Sequence, residues 1–119
     1  MPSPEKTAIA EYRGEIYDSL EMNRRDNIDG SMTDDYPLVK QMRYVLATGA
    51  PLRAFDKKRN VHGKVLYFDL AIDRMSWEVR YVDKAGVLLT SAVKDCTFVW
   101  PYQEGNTIRY HELSWQKSH

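Results

Sequence analysis

Along the first third of the chain, apolar side chains recur every three or four positions. Ile9, Tyr12, Ile16 and Leu20 make one such stripe, and this spacing predicts a helix over residues 4–22. Ser3 is placed to cap it, Pro4 suits its first turn, and Glu5 favours the positive end of the helix dipole. Gly14 weakens the middle by about 1 kcal/mol relative to Ala, so the stripe needs something to pack on. A polar connector, residues 23–35, carries the turn signal Asp29-Gly30. Helical spacing then returns with Leu38, Met42, Val45 and Leu46, predicting a second helix over 36–48. Asp35 is its expected cap, Pro37 falls in its first turn, and Gly49 and Pro51 are stop signals.

After Pro51 the period changes from helical to two. The sequence PLRAF (51–55) is a candidate strand. KVLYFDLAI (64–72) is a stronger one, with Leu66, Phe68, Leu70 and Ile72 expected on one side. WEVRYVD (77–83) alternates cleanly, Trp77, Val79 and Tyr81 against Glu78 and Arg80. The turn at 83–86 ends in Gly86, which tolerates positive φ. VLLTSAV (87–93) pairs back, CTFVW (96–100) is a short strand closed by Pro101, and TIRYHEL (107–113) is the last.

The chain therefore reads as one α+β domain over 1–119, helical at about 4–48 and β at about 51–113. Close strand spacing and tight turns favour an antiparallel meander. Five strands in so short a stretch are expected to curl, which hides edges that would recruit other chains. The expected architecture is two N-terminal helices packed on a small antiparallel barrel or a strongly bent five- to six-stranded sheet. The layout from Pro51 to Pro101 resembles small SH3-like barrels, including the Tudor type: a long loop after the first strand, the glycine-led GKVLYFDL, the Trp-led WEVRYVD, a turn, and a short closing strand. The resemblance covers less than half of the chain and implies an architecture, without carrying over any ligand or site residue.

Composition narrows the function classes. The chain has 119 residues, 43% hydrophobic and 12% aromatic, which is a folding composition. Seventeen basic residues balance seventeen acidic ones, so the chain lacks the field on which sequence-independent nucleic-acid binding depends. The single cysteine, Cys96, excludes an intrachain disulfide and is compatible with a reducing compartment. No apolar run approaches the roughly 20 residues of a membrane span, and the first residues lack an apolar signal core. The expected location is cytoplasmic, with no membrane association.

Candidate chemistry is sparse. Residues 53–64 hold the densest basic patch: Arg53, Lys57, Lys58, Arg59, His62 and Lys64, with Phe55 and Tyr67 as aromatic neighbours able to stack on a base or pack a partner's side chain. The alternative role for these charges is a solvated connector between strands. The acidic residues Asp26, Asp29, Asp34 and Asp35 form a second candidate contact surface, able to mimic a phosphate backbone toward a basic partner. They fail as a calcium loop, because with Gly30 in sixth place the first and twelfth positions would be Arg25 and Tyr36. Trp77, Tyr81, Trp100 and Tyr102 are the candidates for a cation cage, although Trp77 and Tyr81 share one strand face and are expected in the core. Cys96 lies in an alternating apolar strand, where cysteine acts as a small hydrophobe. Asp69 and Glu78-Val79-Arg80 resemble the Asp…Glu-x-Lys layout of restriction-type nucleases. Arg80 stands in the lysine position and stays protonated, and cross-strand Glu–Arg pairing accounts for the same residues.

These observations point to a non-catalytic protein–protein interaction module that needs neither metal nor cofactor, such as an adaptor or a stoichiometric inhibitor of the kind phages and mobile elements encode. The alternative is a nucleic-acid-binding protein using the basic loop 53–64, and a magnesium-dependent nuclease is a remote third reading.

Overall fold

A computed structural model of the protein describes residues 30–116. The expected helix at 4–22 and the residues Asp26 and Asp29 lie outside the described residues. The described chain opens with helix α1, Tyr36–Ala47. Six strands follow: β1 Arg53–Asp56, β2 Val61–Leu70, β3 Trp77–Val82, β4 Leu88–Ala92, β5 Cys96–Glu104 and β6 Thr107–Ser114. A short 3₁₀ turn, Val93–Asp95, joins β4 to β5. No helix among the described residues is long and apolar enough to cross a membrane.

Helix α1 forms where its spacing places it. Leu38, Val39, Met42 and Val45 are buried on one stripe, and the helix ends before Gly49, whose φ of 86° only glycine adopts without strain. Asp35 stands at the N-cap, but its side chain does not cap the helix. Its Oδ2 instead accepts the Trp77 backbone N–H at 2.8 Å. The Trp77 indole N–H donates to the Gly30 carbonyl at 3.1 Å. Two bonds thus tie the approach to α1 onto the start of β3.

All six strands belong to one antiparallel sheet in the order β4-β3-β2-β1-β5-β6. The sheet is not closed: its ladder ends at β4 on one side and β6 on the other. It is nevertheless bent. Four inter-strand steps separate β4 from β5, about 19 Å in a flat sheet at the usual spacing. The chain covers that gap with one 3₁₀ turn, which advances only about 2 Å per residue. The two strands are brought together by curling the sheet inward.

The bend has a local cause in β2. Its first residues pair with β1 and its later ones with β3, and the register jumps between Val65 and Tyr67. Leu66 is the extra residue of a β-bulge, so Val65 and Phe68 both face the core. This corrects the strict alternation expected through Leu66, Phe68, Leu70 and Ile72. Phe68 is buried, Leu66 and Leu70 are half-buried, and Ile72 lies fully exposed beyond the strand. Gly63 sits where β2 runs against β3, and a Cβ there would meet the Val82 carbonyl oxygen at 2.3 Å.

Strand β3 matches its pattern, with Trp77, Val79 and Tyr81 buried. Strand β5 runs past Pro101 rather than stopping at it. Beyond Val99, among the described residues, it is flanked only by β6, an edge position at which strands tolerate proline. The core joins α1 to the concave face of the sheet through Met42, Leu52, Val65, Phe68, Val79, Tyr81, Val93 and Phe98.

Candidate binding surface

The loop from β1 to β2 is organised by one carboxylate. Asp56 ends β1 and is buried. Its Oδ1 accepts the backbone N–H groups of Lys58 at 2.9 Å and Arg59 at 3.1 Å, the pattern of an Asx turn. Its Oδ2 accepts Arg59 Nε at 3.1 Å and the Ser91 hydroxyl at 2.6 Å. Burial alone would raise this carboxyl's pKa. The Ser91 hydroxyl and the Arg59 and Lys58 donors more than offset that, leaving it at about 2. Ser91 donates its only proton to Asp56, so the Tyr81 hydroxyl, 2.6 Å away, donates to Ser91. Arg59 Nη2 donates to Ser91 Oγ at 2.7 Å and also reaches the Thr90 carbonyl. The network joins the β1–β2 loop to β4 across the bend.

The basic patch is therefore divided by the fold. Arg59 holds the loop to β4. Lys58 lies 3.7 Å from Asp95 in an exposed ion pair. Lys57 is exposed. Arg53, His62 and Lys64 fall on the outer face of the sheet, because their neighbours Ala54, Gly63 and Val65 point inward and are buried. Register places Arg53 opposite Lys64 and Phe55 opposite His62. The Phe55 and His62 rings stack with centroids 5.0 Å apart. Arg53 Nη2 donates to His62 Nδ1 at 2.9 Å. Guanidinium has no acceptor, so this nitrogen accepts and the imidazole proton sits on Nε2.

This outer face continues across β1 onto the β5–β6 hairpin. Arg53 lies beside Val99 and Phe55 beside Thr97, and Val99 in turn faces Glu112, Pro101 faces Tyr110 and Gln103 faces Ile108. Tyr67 belongs to a separate group on β2 and β3. Arg80 donates to its hydroxyl at 3.0 Å and to Asp69 at 3.5 Å, while Asp69 and Glu78 are register partners. The three residues of the nuclease-like layout are thus brought together, with the arginine paired to one of the carboxylates. Among the described residues no three of His, Cys, Asp and Glu gather as a metal site.

The acidic candidates separate. Asp34 pairs with Lys94 of the 3₁₀ turn at 2.7 Å, and Lys94 also lies over the Trp115 ring at 4.8 Å. Asp35 is fully buried against Trp77. Of the cage candidates, Trp77 and Tyr81 are core residues. Trp100 and Tyr102 flank His111 at 5.1 and 4.0 Å, the latter stacked. Cys96 is buried, and desolvation followed by the nearby Asp56 charge pushes its thiol up to about 12, so it is no thiolate nucleophile at neutral pH.

Sequence reasoning missed the Asp56–Ser91–Tyr81 network and the Arg53–His62 contact. The Asx turn was readable, since an aspartate heads a loop of Lys, Lys, Arg and Asn. Its partners on β3 and β4 are long-range and left no local signal. Comparison with family models, curated proteins and solved structures finds no match, so the functional argument rests on this geometry.

Proposed function

We propose that this protein is a non-catalytic protein-binding module, an adaptor or stoichiometric inhibitor, that engages an acidic partner through the outer face built on Arg53, Phe55, His62 and Lys64. The observation that carries this reading is the ordered Phe55–His62–Arg53 group. Phe55 is 36% exposed, yet its ring is fixed against His62, which Arg53 holds in turn. Aromatic and arginine side chains already set in place lose little entropy on binding, which is the property of interface hot spots. The strand order β4-β3-β2-β1-β5 and the 3₁₀ turn before β5 support an SH3-like scaffold beneath this face, with β6 added outside it. Arg59, although its side chain is 51% exposed, is engaged by Asp56, Ser91 and the Thr90 carbonyl, which leaves fewer cations for phosphate and favours a protein partner over nucleic acid.

The test is affinity capture from the native cell with the wild-type protein and a Phe55→Ala/Lys64→Glu variant, each with and without nuclease. A protein retained by the wild type after nuclease treatment and lost with the variant is the expected result. Retention that vanishes with nuclease would instead establish the nucleic-acid alternative, to be checked by gel shift across salt with Arg53→Glu and Lys57→Glu. Capture indifferent to the variant would remove this face from the interface.

A further inference from the structure

The Arg53–His62 contact exists in only one charge state of the ring. Arg53 Nη2 donates to His62 Nδ1 at 2.9 Å, and the ring stacks on Phe55 with centroids 5.0 Å apart. Guanidinium keeps its proton and offers no acceptor, so Nδ1 must carry a lone pair. Protonation puts an N–H on Nδ1, facing the N–H of Arg53, and turns a hydrogen bond into two cations in contact. The charged groups around the ring do not offset this. Lys64, two residues along β2 on the same face, stands opposite Arg53, and Lys57 in the loop is exposed. Across β1, the β5 residues beside Phe55 and Arg53 are Thr97 and Val99, both uncharged. Glu112 lies one strand further out, opposite Val99. On the other side of β2, Val82 of β3 faces Lys64, and the Asp83 carboxylate that follows accepts the Ala85 and Val87 amides. Asp56 points into the fold, onto Arg59 and Ser91.

We infer that His62 is a proton-operated latch on the outer face. Neutral, it holds the Arg53 guanidinium on the Phe55-stacked ring. Protonated, it releases Arg53, and the ordered group on which the proposed function relies comes apart. Histidine is the side chain that changes charge between about pH 5 and pH 8, so modest acidification operates the latch while the fold stands. The Asp56 carboxyl, at about 2, stays ionised throughout that interval. The inference rests on the reading of this face as the binding surface and adds its regulation: the partner meets a pre-set face at neutral pH and an unlocked one in acid. The hold on Arg53 is a property of the free protein, so it is tested without the partner. Its failure leaves the capture experiment, which tests the surface itself, untouched.

The test is nitrogen NMR of the isotope-labelled full chain at about pH 8 and about pH 5. At the upper pH the His62 ring is expected to carry its proton on Nε2 alone. The two Nη groups of Arg53 are expected to give separate signals there, because the bond to His62 hinders rotation of the guanidinium. At the lower pH both ring nitrogens are expected to be protonated and the Arg53 signals to average. His62→Asn places an amide oxygen where Nδ1 stands and does not titrate, so separate Arg53 signals are expected at both pH values. His62→Lys carries its charge at both and is expected to give averaged signals at both. His111, between Trp100 and Tyr102, and His119 are present in all three proteins and serve as internal controls. Unchanged backbone amide signals away from β1 and β2 verify the fold of each variant. A proton on Nδ1 at the upper pH, wild-type Arg53 signals that ignore pH, or an Asn variant that follows pH as the wild type does would each overturn the latch.

Discussion

Asp56 and Ser91 lie 35 positions apart in the chain, and the Ser91 hydroxyl donates to the Asp56 carboxylate across 2.6 Å. Because Ser91 also accepts from Tyr81 and Arg59, the buried Asp56, Ser91 and Tyr81 side chains all have partners. Removing one member leaves the others unpaired, and such losses cost more than the bond itself contributes. Ser91→Ala is expected to cost about 1–3 kcal/mol in urea unfolding, with the slope of the transition unchanged.

The same carboxylate gives the protein an acid-sensitive term. A folded-state pKa of about 2 against an ordinary value of 3.8 corresponds to about 2 kcal/mol. The depressed value means that this stability is present above pH 4 and is lost as pH falls from about 4 to 2. Asp56→Asn is expected to be less stable at neutral pH and to show a flatter stability profile over that interval, measured by chemical denaturation at each pH.

Neighbouring cations in the loop should behave differently. Arg59→Ala removes a charge-assisted contact to Asp56 and two contacts to β4, and is expected to cost roughly 1.5–3 kcal/mol. Lys57→Ala touches no such network and is expected to stay within about 0.5 kcal/mol of wild type. Thermal melts of the two variants side by side distinguish an anchoring arginine from a solvated lysine.

Burial decides the chemistry of Cys96. Its thiol, pushed up to about 12, is expected to resist alkylation and disulfide exchange at pH 8 in the folded protein and to react at once in denaturant. A fast native reaction would place the side chain at the surface, contrary to its burial.

Gly63 has no room for a side chain. The atoms that a Cβ would strike belong to the Val82 backbone, which cannot rotate away. Gly63→Ala is expected to cost at least about 2 kcal/mol by forcing β2 and β3 apart. Gly86→Ala, in an open turn at positive φ, is expected to show only the smaller conformational cost, on the order of 1 kcal/mol.

Local patterning made much of this fold readable. The stripe of Leu38, Met42 and Val45, the alternation of Trp77, Val79 and Tyr81, and the stop at Gly49 are short-range signals, and each element formed where its signal placed it. The bulge at Leu66 was not readable, because a run of apolar residues satisfies either face and only the approach of β3 selects one. Closure into a barrel did not follow from strand count. The strand that extends the sheet beyond β5 is β6, and among the described residues no strand pairs with the far side of β4. The candidate surface was legible as composition but not as geometry. Six basic side chains in twelve residues look alike in sequence, and it took Asp56 to separate Arg59, which faces Ser91, from Arg53, which faces His62.

Strand order also bears on how the chain is made. β1 pairs on one side with β2, which follows it directly, and on the other with β5, through Arg53 beside Val99. A ribosome releases β2, β3 and β4 before that second neighbour exists. Until Cys96 to Val99 emerge, one of the two central strands of the finished sheet stands as a naked border of the nascent one, within reach of chaperones or of other growing chains. Synthesis that pauses before Cys96 would prolong that interval, so the yield of native protein should depend on how quickly the codons for Cys96 to Val99 are read.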